Sequence, residues 1–313
     1  MRLCLACIVV FLAGCGPPEK VSSPPAPAKI IAGPSNKNIS QKENKPFVAK
    51  VQYIKAGQSR FAYYQRGSGP TLLMLTGTGS TMSEWDPALL RLLAKNNNLI
   101  MIDYPGVGLS RGSVPRTFAS MAEQISLFIS AKQLTEINVL GWSMGGFVAQ
   151  QLIQKHPGQV SRLILASTNP GGTHAVLGSS SDQAADNRPD SKEMMAQLYS
   201  NQQAGRAFLS RLEKSSQSGE IPNDFKVSSR ALAKQIKAED PWLRSNQNWN
   251  DLTLLGAPVL AAGGRGDRVT PIVNMFNIAR RVKQGQVFSF SGRHAFLFSD
   301  SVLFSKRVNS FLN

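Results

Sequence analysis

Along the chain, short apolar runs alternate with longer stretches in which apolar positions recur every three or four residues. Residues 71–75, 99–102, 137–140, 161–165 and 258–262 are runs of the first kind, suited to strands buried on both faces of a parallel sheet. Residues 87–95, 118–133, 145–155, 271–282 and 301–312 read as helices. Residues 286–290 alternate as a further strand, and 47–53 and 59–66 read as two strands joined near Ala56 and Gly57. Strands taking turns with helices predict an α/β fold, with a mostly parallel central sheet flanked by helices.

The alternation breaks off over about 171–250, which is rich in Ser, Gln and Asn and has helical stretches over 193–199 and 203–214. Roughly eighty residues are too many for a plain loop in a compact domain. The stretch is expected to form a helical cap insertion over the functional edge of the sheet, with 179–190 suited by composition to disorder. Residues 17–27 are Pro-rich and favour extended backbone, and 36–45 are polar without an apolar period. Residues 15–46 are therefore expected to tether a globular domain formed by 47–313.

Composition narrows the classes. With 42% hydrophobic residues among 313, there is material for one sizeable core, and the whole chain cannot be disordered. No apolar run reaches the roughly 18 residues of a membrane-crossing helix, which excludes a chain built of several such helices. The net charge is +16, from 35 basic and 19 acidic residues. That excess draws anions in general. It comes without a block of five like charges, a zinc-finger spacing or an RNA-binding aromatic signature, so no specific nucleic-acid partner is expected.

All three cysteines, Cys4, Cys7 and Cys15, fall near the start, leaving the rest of the chain no thiol for a disulfide or a metal site. Arg2 precedes an apolar run over 3–13 that ends in Leu12-Ala13-Gly14-Cys15. The basic start and apolar run match a secretory signal, and the last four residues resemble the bacterial lipobox. That resemblance implies a signal peptide over 1–14, a lipid anchor on Cys15 and a place in the bacterial cell envelope. Gly16 after the cysteine favours the outer membrane. Two or three acyl chains hold stably because each buried methylene contributes about 0.8 kcal/mol.

Candidate chemistry centres on Gly141-Trp142-Ser143-Met144-Gly145-Gly146, which follows a predicted strand and opens a predicted helix. A G-x-S-x-G run in that context is a nucleophile elbow, in which small residues let strand and helix pass closely while the serine hydroxyl projects outward. The hydroxyl is a poor nucleophile without a base. Of the three histidines, His156 ends a helix before Pro157 and is expected to cap it, and His174 at the start of the insertion is expected at the surface. His294 lies just past the last predicted strand, where parallel sheets place their chemistry. Asp267 follows the strand before it and is expected to orient the imidazole, the alternative being a surface pair with Arg265 or Arg268. Asp240 and Asp251 lie in or beside the insertion and are poorer candidates. The order Ser, Asp, His is the one expected of elbow-bearing enzymes.

From about Phe47 to the C-terminus these residues resemble the α/β-hydrolase fold family. Asp103-Tyr104-Pro105-Gly106-Val107-Gly108-Leu109-Ser110 is similar to its D-x-P-G-x-G-x-S turn, and Thr76-Gly77-Thr78-Gly79 stands where many members carry H-G-x-G. The resemblance implies Ser143 as nucleophile, His294 as base, Asp267 as its partner, and the backbone amides of Thr78 and Met144 as oxyanion hole. Thr76 replaces the family's histidine and leaves the backbone donor in place. The implied substrate is a small molecule with a carboxylic ester or related acyl bond, cleaved without metal or organic cofactor. The Ser-Met-Gly-Gly stretch is also similar to that of cofactor-free haloperoxidases and perhydrolases. A non-catalytic binding protein on a hydrolase scaffold is the alternative from another class. A serine nucleophile separates the chain from the dehalogenase and epoxide hydrolase branches, which use aspartate.

Overall fold

The computed structural model describes residues 47–178 and 192–313. The expected signal peptide over 1–14, the lipid site Cys15, the tether over 15–46 and the stretch 179–190 lie outside the described residues.

Among the described residues, β1 (Gln52–Ala56), β2 (Ser59–Arg66), β3 (Thr71–Leu75), β4 (Asn98–Ile102), β5 (Ile137–Trp142), β6 (Val160–Ala166), β7 (Val259–Gly264) and β8 (Gly285–Phe290) form one sheet. Its order is β1-β2-β4-β3-β5-β6-β7-β8. β1 and β2 make a hairpin across Gly57 at φ 57°, and β2 runs antiparallel to β4. The remaining pairings are parallel. From β3 the chain first steps outward to β4 and then returns to β3's other side as β5. That reversal opens a crevice at the carboxyl ends of β3 and β5, the place where open α/β sheets bind ligands.

Alternation along each strand divides the core into two layers. Phe61, Tyr63, Leu73 and Leu75 face one side, with α2 (Phe118–Ala131), α3 (Met144–Lys155) and α9 (Val273–Arg281). Ala62, Tyr64, Leu72 and Met74 face the other, with α1 (Pro87–Leu93), α10 (Phe296–Ser299) and α11 (Ser301–Leu312). The helices start where side chains can cap them: Asp86 accepts the amides of Ala88 and Leu89, and Thr117 and Ser120 form a reciprocal box at the start of α2.

Between β6 and β7 the described residues form α4 (Lys192–Leu198), α5 (Gln202–Gln217), α6 (Ser229–Lys237), α7 (Glu239–Arg244) and α8 (Gln247–Asp251). The sequence pattern marks α4 and α5 but not the last three, whose turns carry mixed polar residues. A second difference lies at the first strand. It begins at Gln52 rather than at 47, because Ala49 bonds the Gly219 carbonyl at 2.8 Å instead of β2. The alternation of Phe47, Ala49 and Val51 thus reflects packing on the core, with the arm directed to the insertion and not to the sheet. Among the described residues no helix is long and apolar enough to cross a membrane.

Candidate active site

Ser143 sits at the junction of β5 and α3 with φ 55° and ψ −121°, a conformation that costs a non-glycine residue on the order of 1–3 kcal/mol. The surroundings enforce it. A side chain at Gly145 would collide with the Leu75 carbonyl, so α3 leaves the elbow against the end of β3 only because that position is bare. Ser143 is buried to all but 6% of its surface. Met144, the first residue of α3, follows it, and first-turn amides have no partner within their own helix. The positive end of the helix dipole points the same way.

Asp267 lies in the turn after β7, and His294 in the turn after β8. The two are brought together: His294 Nδ1 stands 3.0 Å from Asp267 Oδ2 and 3.1 Å from Oδ1, with both side chains shut off from solvent. Asp267 Oδ1 also accepts the amides of Val269 (2.9 Å) and Thr270 (3.0 Å), and Oδ2 accepts the Thr270 hydroxyl at 3.1 Å. Burial works to raise this carboxyl, but the neighbouring imidazole and the Thr270 amide hold it below the usual carboxylate range. An ionised carboxylate only accepts, so Nδ1 carries a proton, and in the neutral imidazole Nε2 is the nitrogen left with a lone pair. Nε2 is buried and has no hydrogen-bond partner among the described residues. No bond joins it to the Ser143 hydroxyl; such contacts in unliganded enzymes are often long and tighten when substrate arrives. Trp142 completes the mounting by donating its ring N–H to the His294 carbonyl at 3.1 Å.

The loop after β3 packs beside Ser143. A Cβ on Gly77 would stand 3.2 Å from that of Ser143. Tyr104 donates its hydroxyl to the Thr76 carbonyl at 3.3 Å. Asp103 spans two segments, accepting the Met82 amide on Oδ1 (2.7 Å) and the Leu109 amide on Oδ2 (2.8 Å). Burial nevertheless pushes its carboxyl up to about 7, against the pull of those two amides. The run 103–110 is therefore a brace for the loop that carries Thr78. From above, the insertion holds the same loop: Gln235 Oε1 accepts the Gly79 amide at 2.9 Å, and Glu239 Oε1 accepts the Thr78 hydroxyl at 3.4 Å. Burial pushes the Glu239 carboxyl up to about 7 although the Thr78 bond favours its charged form.

Sequence reasoning passes over Thr270, Gln235 and Glu239. Thr270 was accessible in principle, as a hydroxyl three residues beyond the acid, but the two cap residues belong to a segment without pattern. The remaining histidines stand apart. His156 closes α3 as expected of a capping position, but its ring pairs with Glu123 of α2 at 2.9 Å. His174 is exposed and stacks on Trp249 at 4.2 Å.

The sequence profile of a family described as alpha/beta hydrolase fold matches residues 70–300. The chain belongs to that family. It is 30% identical over 131 residues to the biotin biosynthesis bifunctional protein BioHC of Teredinibacter turnerae, covering 41% of this chain and 21% of that protein. It is 32% identical over 106 residues to the pimeloyl-[acyl-carrier protein] methyl ester esterase of Aeromonas hydrophila, covering 33% of this chain and 40% of the esterase. The matches thus span two fifths or less of these curated relatives. Among solved structures, the chain is similar to an alpha/beta hydrolase fold protein from Chitinophaga pinensis, with a TM-score of 0.74 and 24% identity over 86% of this chain and 99% of that one.

Proposed function

We propose that the chain is a serine hydrolase that cleaves a carboxylic ester or related acyl bond of a small molecule. The carrying observation is the buried His294–Asp267 pair, whose tautomer leaves Nε2 unengaged at the same sheet edge as the strained Ser143. Curated esterases among its relatives support the same reaction class. In this reading the Ser143 hydroxyl attacks the acyl carbonyl and its proton passes to His294 Nε2. Asp267 steadies the imidazolium, and the amides of Thr78 and Met144 hold the oxyanion. Collapse expels the alcohol, which takes the proton from Nε2. Water then repeats the sequence and frees the acid.

A fluorophosphonate mimics the tetrahedral stage and is expected to label Ser143. Label should be absent from Ser143→Ala and nearly absent from His294→Ala, measured by mass spectrometry of the intact chain. Folded wild type that takes no label and turns over no ester would instead favour a binding protein on this scaffold. The residues at 12–15 extend the proposal to a lipid-anchored protein of the bacterial envelope, with Cys15 as the acylated residue. Radiolabelled palmitate should enter the wild type but not Cys15→Ser, and equal labelling would remove the anchor.

A further inference from the structure

The insertion offers the loop after β3 one group that the fold itself does not use. Gln235 lies on α6 with none of its surface exposed. Its Oε1 accepts the Gly79 amide, and because an N–H can be met only by the oxygen, the orientation of the side-chain amide is set. Nε2, with its two hydrogens, is buried and has no hydrogen-bond partner among the described residues. One helical turn on, Glu239 reaches the neighbouring residue of the same loop through the Thr78 hydroxyl. Three consecutive loop residues thus have three neighbours: Gly77 meets Ser143, Thr78 meets Glu239, and Gly79 meets Gln235.

A buried amide left without an acceptor costs about 1–3 kcal/mol, and native proteins tolerate few of them. Nothing in the packing requires this one, since a side chain bearing only an oxygen would satisfy Gly79 equally well. We propose that Gln235 is a specificity-determining residue whose Nε2 donates to a second carbonyl oxygen on the substrate, selecting oxo-acyl esters over plain alkanoyl esters. The inference rests on the hydrolase reading. Glu239 stands beside it against the same loop. With its carboxyl raised to about 7, it carries little charge below neutrality to repel a carbonyl oxygen. A site built to hydrogen-bond a substrate group discriminates strongly against the analogue that lacks it, because its own donor is then left buried and unmet.

The test compares kcat/KM of the full chain on methyl hexanoate and on its 3-, 4- and 5-oxo analogues, with fluorophosphonate labelling run alongside. At least one oxo ester should be preferred by about tenfold or more. Gln235→Met, of similar length and without a donor, should bring that ratio to unity. Gln235→Leu, also without a donor, serves if the first variant melts early and should lose the preference too. Comparing each ratio with wild type cancels the intrinsic reactivity of the keto esters. Labelled enzyme that hydrolyses hexanoate but prefers no oxo ester overturns the subsite and leaves the hydrolase standing. A preference that survives in a folded variant also overturns it. No label and no turnover on any ester overturns both.

Discussion

The sheet and the insertion meet at the loop beside Ser143 and differ in how they are held. In the sheet, β5 is buried along its whole length and the layers on either face are formed by contiguous apolar side chains. The insertion adds apolar side chains to both layers, among them Leu198, Phe208, Leu212 and Trp242, and is fastened at polar points as well. Glu220, after α5, takes Arg66 of β2 at 2.7 Å and Arg91 of α1 at 2.5 Å, and Arg211 of α5 pairs with Asp86 at the head of α1. Trp242 of α7 is an apolar anchor, with its ring 5.1 Å from Phe147 and 5.7 Å from Phe118, and its N–H bonded to Asn169. Continuous packing gives a frame that holds reacting groups to a fraction of an ångström, as nucleophilic chemistry requires. The insertion sets polar side chains such as Gln235 among that packing, and these are the groups proposed to select a substrate. On the proposed reading, the sheet carries the chemistry and the insertion the choice of what enters.

The largest expected effect tests the first half of that division. Asp267→Asn should keep the fold but lose turnover by roughly 10⁴-fold, the scale known for this substitution in serine proteases, because the imidazole then favours the other tautomer. The loss should be equal across esters of different acyl length. A loss that varies with the acyl group would place the sheet's pair in selection as well.

Next in size is Trp242→Ala, expected to cost about 3–5 kcal/mol in denaturant melts and to raise KM more than it lowers kcat. An equal fall in kcat across substrates would show that the insertion supports the chemistry itself. Glu220→Gln comes third, at about 2 kcal/mol, because two guanidinium groups lose their charged partner. This effect also has a pH signature. Burial opposes ionisation of Glu220, but Arg91, Arg66 and Ser215 outweigh it and bring the carboxyl to about 2, below the roughly 4.3 of an unfolded chain. Its contribution is complete above the unfolded value and disappears as pH falls through about 2. Stability of the wild type should therefore drop between those limits, and Glu220→Gln should flatten that part of the curve. An unchanged acid limb would mean that the fastening is not ionic.

The smallest effect belongs to a site outside both regions' contacts. Leu254, 72% exposed between α8 and β7, can become Ser with a change within about 0.5 kcal/mol. A larger loss would show that the junction of the two regions is stressed.

Much of the sheet could be read residue by residue. Residues 59–66, 71–75 and 301–312 are elements with the expected bounds, and the elbow lies on the expected strand–turn–helix. Asp267 and His294 were also within reach, since chain order and position after consecutive strands leave few candidates, and the structure brings them into contact. What was not legible is the upper side of the site. Arg66 and Glu220 meet across 154 residues of sequence, and Gly79 and Gln235 across 156.

The amino-acid sequence by itself determined the α/β class, the strand runs and the turn that strains Ser143. Burial on one or both faces imprints a period on the chain, and a close backbone crossing imprints its glycines. Only the tertiary structure decided that the alternation of Phe47, Ala49 and Val51 leads to the insertion and not to β2, and that Gln235 faces the loop beside Ser143. A polar side chain bears no mark of its partner. Whether its hydrogen bonds go to water, to backbone or to a substrate is settled when distant segments are packed together, and period records only how deep a residue lies.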